Sequence, residues 1–233
     1  MLVLALDTTT RAGSVAVVRD DQLLSEIVGD PSRTHGERLP RDLMRVLEAA
    51  SVPLSAVELL AVAVGPGSFT GLRVGIAAMQ GLAMAIGARI VPISALDALA
   101  IAAAAPASND GRHIGAWMDA QRGEVFGALY DVTGTHLVVA PTALPPAQTL
   151  DAWADSTSPA RVIGDGAVRY ADVIRDRLGA ETSILPAPPL AATIGRMAAR
   201  ASDRAVLPHA VVPIYIRRPD AELARDRRAP DRS

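Results

Sequence analysis

The 233-residue sequence contains no cysteine and no lysine; all 23 of its basic residues are arginine. Without cysteine there is no disulfide framework and no thiolate metal site. Without lysine there is no Schiff-base chemistry, no phosphate-binding lysine of a P-loop and no kinase-type lysine. Aromatic residues make up only 3% of the chain, which leaves few platforms for stacking bases. The formal charge is −2, so no bulk basic field draws in nucleic acid unaided. Histidine occurs at His35, His113, His136 and His209, no two within five residues, so a helical His-x-x-x-His zinc pair is absent and no metal site is expected. The longest apolar candidate for a membrane span, Val74 to Ala88, is about 15 residues long, holds Gln80 and several glycines, and is too short to cross. The N-terminal run from Leu2 to Leu6 stops at Asp7 with no basic segment before it, so no signal peptide is expected. The expectation is a cytoplasmic protein without a membrane anchor.

What is present is a chain half of whose residues are hydrophobic, and long enough to bury roughly 70% of its unfolded surface. Leu2–Leu6, Ser14–Val18 and Leu23–Val28 read as three meandering strands, with a hairpin turn at Asp20-Asp21. Thr34 followed by Glu37 fits a capping box, and Leu39, Leu43, Leu47 and Ala50 continue at helical spacing. Leu59–Val64 is a buried strand ending in Gly65-Pro66-Gly67-Ser68-Phe69-Thr70-Gly71. A small-residue helix from about Leu72 to Ile86 follows, closed by Gly87. Strand Ile90–Ile93 and an alanine-rich helix from Ser94 to Ala105 complete a βββαβαβα lobe over residues 1–105. The turn-rich stretch Pro106–Gly111 marks the boundary. Residues 106–216 then open as the first lobe did, with a strand ending at Asp119, a turn at Gly123 and a strand back from Glu124, so a duplicated lobe is expected. Further on, a strand at Thr135–Ala140, helices at Ala147–Ala154 and Ala191–Ala201, and an extended stretch at Val211–Ile216 are expected. Residues 217–233 alternate arginine with acids and are expected to form a mobile tail.

The glycine loop at 65–71, set between a strand and a helix, could present backbone N–H groups to an anion. It matches no specific template. A dinucleotide fingerprint needs glycine where Thr70 stands, a P-loop needs Gly-Lys-Ser/Thr where Leu72-Arg73 follows, and a nucleophile elbow at Ser68 needs glycine at 66 and 70. The alternative is a tight turn that lets the helix approach the sheet. Asp7, at the end of the first strand and followed by Thr8, Thr9 and Thr10, has two readings. It could hold a hydrated Mg²⁺ and a phosphate, with Asp119 facing it from the second lobe, or it could cap a turn through its neighbours' amides. The helix from Leu72 to Ile86 is apolar or small nearly all round, so it must be covered on every side, by its own chain or by a partner protein.

Five strings in order carry a family resemblance: Leu4-Ala5-Leu6-Asp7-Thr8-Thr9, Thr34-His35-Gly36-Glu37-Arg38-Leu39, Gly65-Pro66-Gly67-Ser68-Phe69-Thr70-Gly71-Leu72-Arg73-Val74-Gly75, Asp119-Ala120-Gln121-Arg122-Gly123-Glu124-Val125-Phe126 and Pro213-Ile214-Tyr215-Ile216-Arg217. Together they resemble the TsaB (YeaZ) family over nearly the whole chain, the glycine-loop string being the specific one. The resemblance implies an α/β fold of the actin-like, ribonuclease H-like ASKHA kind, with two duplicated lobes of mixed β-sheet. It implies a non-catalytic dimerisation and scaffold subunit that binds and activates TsaD for threonylcarbamoyl transfer to N6 of adenosine 37 in tRNA. It further implies TsaE in a ternary complex, a homodimer when alone, tRNA contact only through the complex, and no cofactor. TsaD carries a His-x-x-x-His metal motif that this sequence lacks. The resemblance places the partner interface on the helices at about 34–50 and 70–87, through His35, Glu37, Leu39, Leu43, Met44, Leu47, Leu72, Arg73, Gly75 and Met79. Asp7, Thr8, Gly65 and Gly67 are the candidates for a vestigial nucleotide site. Gly36 stands where the family usually has serine, and Gln121 where it often has arginine. The competing expectation is an ASKHA-type ATPase or small-molecule kinase working through Asp7 and the Gly65–Gly71 loop.

Overall fold

A computed structural model describes residues 1–104, 113–154 and 158–217. The expected boundary at Pro106–Gly111 and the tail beyond Arg217 lie outside the described residues. The first sheet is built from β1 (Leu2–Asp7), β2 (Ser14–Arg19), β3 (Gln22–Val28), β4 (Leu59–Gly65) and β5 (Arg89–Ser94), in the order β3-β2-β1-β4-β5. The second contains β6 (Ile114–Asp119), β7 (Val125–Tyr130), β8 (Leu137–Leu144), β9 (Arg161–Ile163) and β10 (Ser183–Leu185), in the order β10-β9-β6-β7-β8. Read from the meander outward, the two orders are the same. Three antiparallel strands lead, and two parallel strands join the far side of the first strand. This is the duplicated actin-like arrangement. The central strands β1 and β4 are buried along their whole length, and apolar up to Asp7 in β1, because helices cover both faces of the sheet.

Strand alternation divides the first sheet into two faces. Leu2, Leu4 and Leu6 of β1, with Leu60, Val62 and Val64 of β4, pack against α1 (His35–Ala49) and α2 (Phe69–Ile86). Val3 and Ala5, with Leu59, Ala61 and Ala63, face the opposite way, toward α3 (Ala95–Ala103) and α7 (Ala191–Arg200). This second core continues into β6 and β7 through Ile114, Ala116, Met118 and Ala128, so one apolar cluster joins the two sheets. α7 follows the second sheet in sequence but docks on the first. Its leading amides donate to Ser14 Oγ (2.9 Å) and to the Glu26 carboxylate (2.9 Å), and Gly195 lets it lie close to Ala5 and Val18. The second sheet is backed by α4 (Pro146–Asp151), α5 (Asp165–Arg169) and α6 (Ala171–Leu178), around Trp117 and Trp153.

Most sequence expectations fall within a residue or two of the observed elements. α2 begins three residues earlier than expected, at Phe69, because Ser68 is its N-cap and accepts from the Gly71 amide (3.2 Å); the last three residues of the glycine loop, Phe69–Gly71, thus form the first turn of the helix. β8 runs to Leu144, beyond the expected 135–140. α6 and β10 carry too little pattern to be read from sequence, one being eight residues long and half charged and the other three residues long. α2 is the one helix among the described residues long and apolar enough to cross a membrane by length and composition, with 18 residues of mean hydropathy 1.4. Its buried side, Leu72, Ile76, Met79 and Ala83, covers its own sheet.

Candidate functional site

The carboxyl ends of β1 and β6 face each other across a cleft of about 1020 Å³. Its walls are the β1–β2 loop at Thr9–Arg11, the entry to α1 at Ser32–Gly36, the glycine loop at Pro66–Gly71, the tip of the β6–β7 hairpin at Asp119–Arg122, and a C-terminal stretch at Ile214–Arg217. A smaller cavity of about 260 Å³ lies between Asp7, Thr10, Met118 and Asp165. The hairpin tip is unusual in its backbone: Gln121, Arg122 and Gly123 all have positive φ (60°, 58° and 79°), which folds the tip back into the cleft wall.

Asp7 is 3% exposed, and its Oδ1 accepts from the Thr9 amide (2.8 Å) and the Thr9 hydroxyl (2.6 Å). That is the turn-capping alternative of the two open sequence readings. Burial pushes its carboxyl up from the ordinary aspartate value, the Thr9 bonds offset part of this, and the charge of Asp165 adds to the rise. The carboxylate that shares a cavity with Asp7 is Asp165, at the start of α5. The expected counterpart, Asp119, instead lines the larger cleft, bound to Arg169 (3.2 Å) and to the Gln121 amide and side chain. Thr8 turns away from both cavities. Its buried hydroxyl lies on Gly75 of α2 and has no hydrogen-bond partner among the described residues. Also among the described residues, no three His, Asp or Glu side chains group as metal ligands would.

The loop glycines are needed for packing, each against a specific neighbour. A Cβ at Gly65 would lie 2.6 Å from the Ile214 carbonyl, and one at Gly67 would lie 2.6 Å from Thr9 Cβ; both residues also have positive φ. At Gly71 a Cβ would collide with the Thr8 carbonyl, and at Gly75 with the Thr8 hydroxyl. The Ser68 amide donates to the Thr9 carbonyl (2.8 Å). The loop is thus pressed onto the end of β1 and the β1–β2 loop, and the conformational freedom of glycine is spent on that contact.

Of the ten residues that the resemblance places at a partner interface, six are buried within the chain, three are exposed and His35 lies between. Leu39, Leu43, Leu47, Leu72, Gly75 and Met79 are buried in the chain's own core, because these are the sides of α1 and α2 that cover the first sheet. Met44, Glu37 and Arg73 are exposed. The Glu37 carboxylate accepts from the Thr34 amide and hydroxyl (both 2.7 Å). Arg73 lies over the Phe69 ring (4.0 Å to its centroid), and its Nε donates to the Tyr215 hydroxyl (3.1 Å). His35 is half-buried: its Nε2–H donates to the Thr10 carbonyl (3.0 Å) and its Nδ1 accepts from Arg38 (2.9 Å).

Sequence reasoning missed Arg38. The guanidinium is 4% exposed, pairs with Asp42 (2.7 Å), donates to the Ala12 carbonyl and rests on Gly29, which ties α1 to the β1–β2 loop. The signal was available as an Arg–Asp pair at i,i+4 on the apolar stripe of a helix. Arg217 was missed as well; it pairs with Glu124 (2.6 Å) and donates to the Ala120 carbonyl (2.9 Å).

The family model for TsaD, tRNA N6-adenosine threonylcarbamoyltransferase, matches residues 25–173. The tRNA threonylcarbamoyladenosine biosynthesis protein TsaB of Bacillus subtilis is 28% identical over 234 residues, covering 95% of this chain and 96% of its own. The Escherichia coli protein of that name is 36% identical over 130 residues, 56% of this chain and 55% of its own. The solved structure of YeaZ from Pseudomonas aeruginosa superposes with a TM-score of 0.73 at 30% identity, covering 92% of this chain and 99% of that one. Sequence and fold agree over nearly the full length of both proteins, and the chain belongs to the TsaB (YeaZ) family, within the wider group that the TsaD model describes.

Proposed function

We propose that this chain is a non-catalytic subunit in the synthesis of threonylcarbamoyladenosine in tRNA, and that it activates a TsaD-type transferase by docking against it. The names of its relatives support the pathway. The observation that carries the docking role is the outer side of the layer formed by α1 and α2. Both helices lie on the same face of the first sheet, with Met44 51% exposed and Met84 76% exposed, and with the small residues Ala77, Gly81 and Ala85 open along α2. Small residues on a helix surface let a second helix approach closely, and exposed methionines fill irregular gaps in an interface. A TsaD-family fold in the partner allows counterpart helices to pair about a pseudo-twofold axis, as in an isologous dimer. The chain makes and breaks no bond in this role; it holds the transferase in its working arrangement. The homodimer uses the same face when the partner is absent, TsaE joins the mixed complex, and tRNA is met only there. The packing of the loop glycines and the Thr9-bound Asp7 favour this reading over the competing ATPase one.

Light scattering on size-exclusion fractions, with and without TsaD from the same organism, tests the reading. A 1:1 mixed complex is expected, and both Met84→Arg and Met44→Arg should weaken it at least tenfold with the isolated chain still folded. Unchanged complex formation by both variants, or none by the parent with TsaE and nucleotide present, refutes the docking role. Leu43→Arg is the wrong probe, since it drives a charge into the core.

A further inference from the structure

The stretch from Val211 to Arg217 belongs to neither sheet, yet it is fixed at both ends. On the first lobe, Gln80 Nε2 donates to the Pro208 (2.9 Å) and Val211 (3.0 Å) carbonyls, and the Ile214 amide donates to the Val64 carbonyl (2.7 Å). Tyr215 stacks on Phe69 with ring centroids 5.2 Å apart and receives the Arg73 bond. On the second lobe, Arg217 grips Glu124 and the Ala120 carbonyl, both at the β6–β7 hairpin. Between these anchors Ile214, Tyr215 and Ile216 line the cleft, and the Ile214 carbonyl sits against Gly65. Anything approaching the glycine loop from that side has to displace Ile214.

We propose that Val211–Arg217 is a self-inserted strap that walls off the glycine-loop side of the interlobe cleft, with the Arg217–Glu124 pair as its releasable fastening. The two anchors differ in kind. The first-lobe anchor is spread over main-chain bonds, the Gln80 amide and an aromatic stack. The second-lobe anchor rests on Arg217, which makes one ion pair between partly exposed partners and one bond to a carbonyl and lies 6.0 Å from the Phe126 ring centroid, with Ile216 packed beside it against the apolar core that joins the sheets. A single charge-assisted pair is the easier of the two to break, and breaking it frees the strap from the hairpin without touching either sheet. This inference goes beyond the proposed docking role, because the strap acts at the cleft and not on the outer α1–α2 face.

Native-state hydrogen exchange on the full chain tests it, read at the Ile214 amide, at the hairpin amides near Ala120 and Glu124, and at core amides of β1 and β4 as reference. Arg217→Gln and Glu124→Gln should each speed Ile214 exchange about tenfold, with the core amides unchanged. The double charge swap Arg217→Glu/Glu124→Arg should restore the part of the protection that the ion pair supplies, though not the part from the Ala120 bond, because a carboxylate cannot donate to that carbonyl. Unchanged Ile214 protection in both single variants overturns the proposal, because the strap would then be held without its fastening. A uniform rise that includes β1 and β4 also overturns it, because the pair would then stabilise the whole fold and gate nothing.

Discussion

Replacing Gly71 with alanine places a methyl group against the Thr8 carbonyl, a main-chain atom at the end of β1 that cannot rotate aside. In a free helix the same change would stabilise by about 1 kcal/mol, because glycine is the poorer helix former. Overpacking against backbone costs about 1–3 kcal/mol, and the rigidity of the obstacle puts this case toward the upper end. The net is a loss of about 1–2 kcal/mol, or roughly 2–8 °C in melting temperature for a chain of this size. Gly81, ten residues along the same helix, is the internal control. A Cβ there meets nothing within 4 Å, so Gly81→Ala keeps the propensity gain and should raise the melting temperature by about 1–4 °C. Scanning calorimetry on the two variants therefore gives shifts of opposite sign. A Gly71→Ala protein that melts at or above the parent refutes the claim that these glycines serve packing. If the same variant kept its stability but lost measurable ATP binding by titration calorimetry, the loop would be a phosphate cradle after all.

Arg38→Met strands the Asp42 carboxylate in the core and should cost about 3–5 kcal/mol by urea unfolding, while Arg38→Met/Asp42→Leu should cost clearly less. Asp7 titrates above its ordinary 3.8 when folded, so the unfolded chain ionises first and Asp7 takes stability away as pH rises from 3.8 toward the folded value. Asp7→Asn should therefore be more stable than the parent at pH 7 and lack that decline; a parent-like pH profile would contradict the assignment. His35 shifts the other way: burial holds it below 6.5, so its contribution is present above that pH and lost as pH falls through it. His35→Gln should remove that acid-side slope from the melting profile.

The division between what could be read and what could not follows the range of the interactions. The strand–helix order of the first lobe, the Thr34–Glu37 capping pair and the echo between Asp7 and Asp119 follow from local periodicity and were legible. The interface residues were legible only as helix positions. An apolar stripe of Leu39, Leu43, Met44 and Leu47 says that something covers it; the chain's own sheet covers the three leucines, while Met44, like Met84 of α2, faces outward. α6 and β10 went unseen because neither carries enough apolar period to stand above its neighbours.

By itself the sequence determined the chemistry excluded by the absence of lysine and cysteine, the repeated opening of the two lobes and the family signature, because these depend on composition and on residues near one another in the chain. Only the tertiary structure decided that Asp7 faces Asp165, that α7 docks on the first sheet, that the glycines fit against Thr8, Thr9 and Ile214, and that Arg217 reaches Glu124. Each of these joins residues far apart in sequence, most of them well over fifty positions apart, and no local propensity encodes such a pairing. It arises when two sheets and their shared apolar core fix where the loop ends meet.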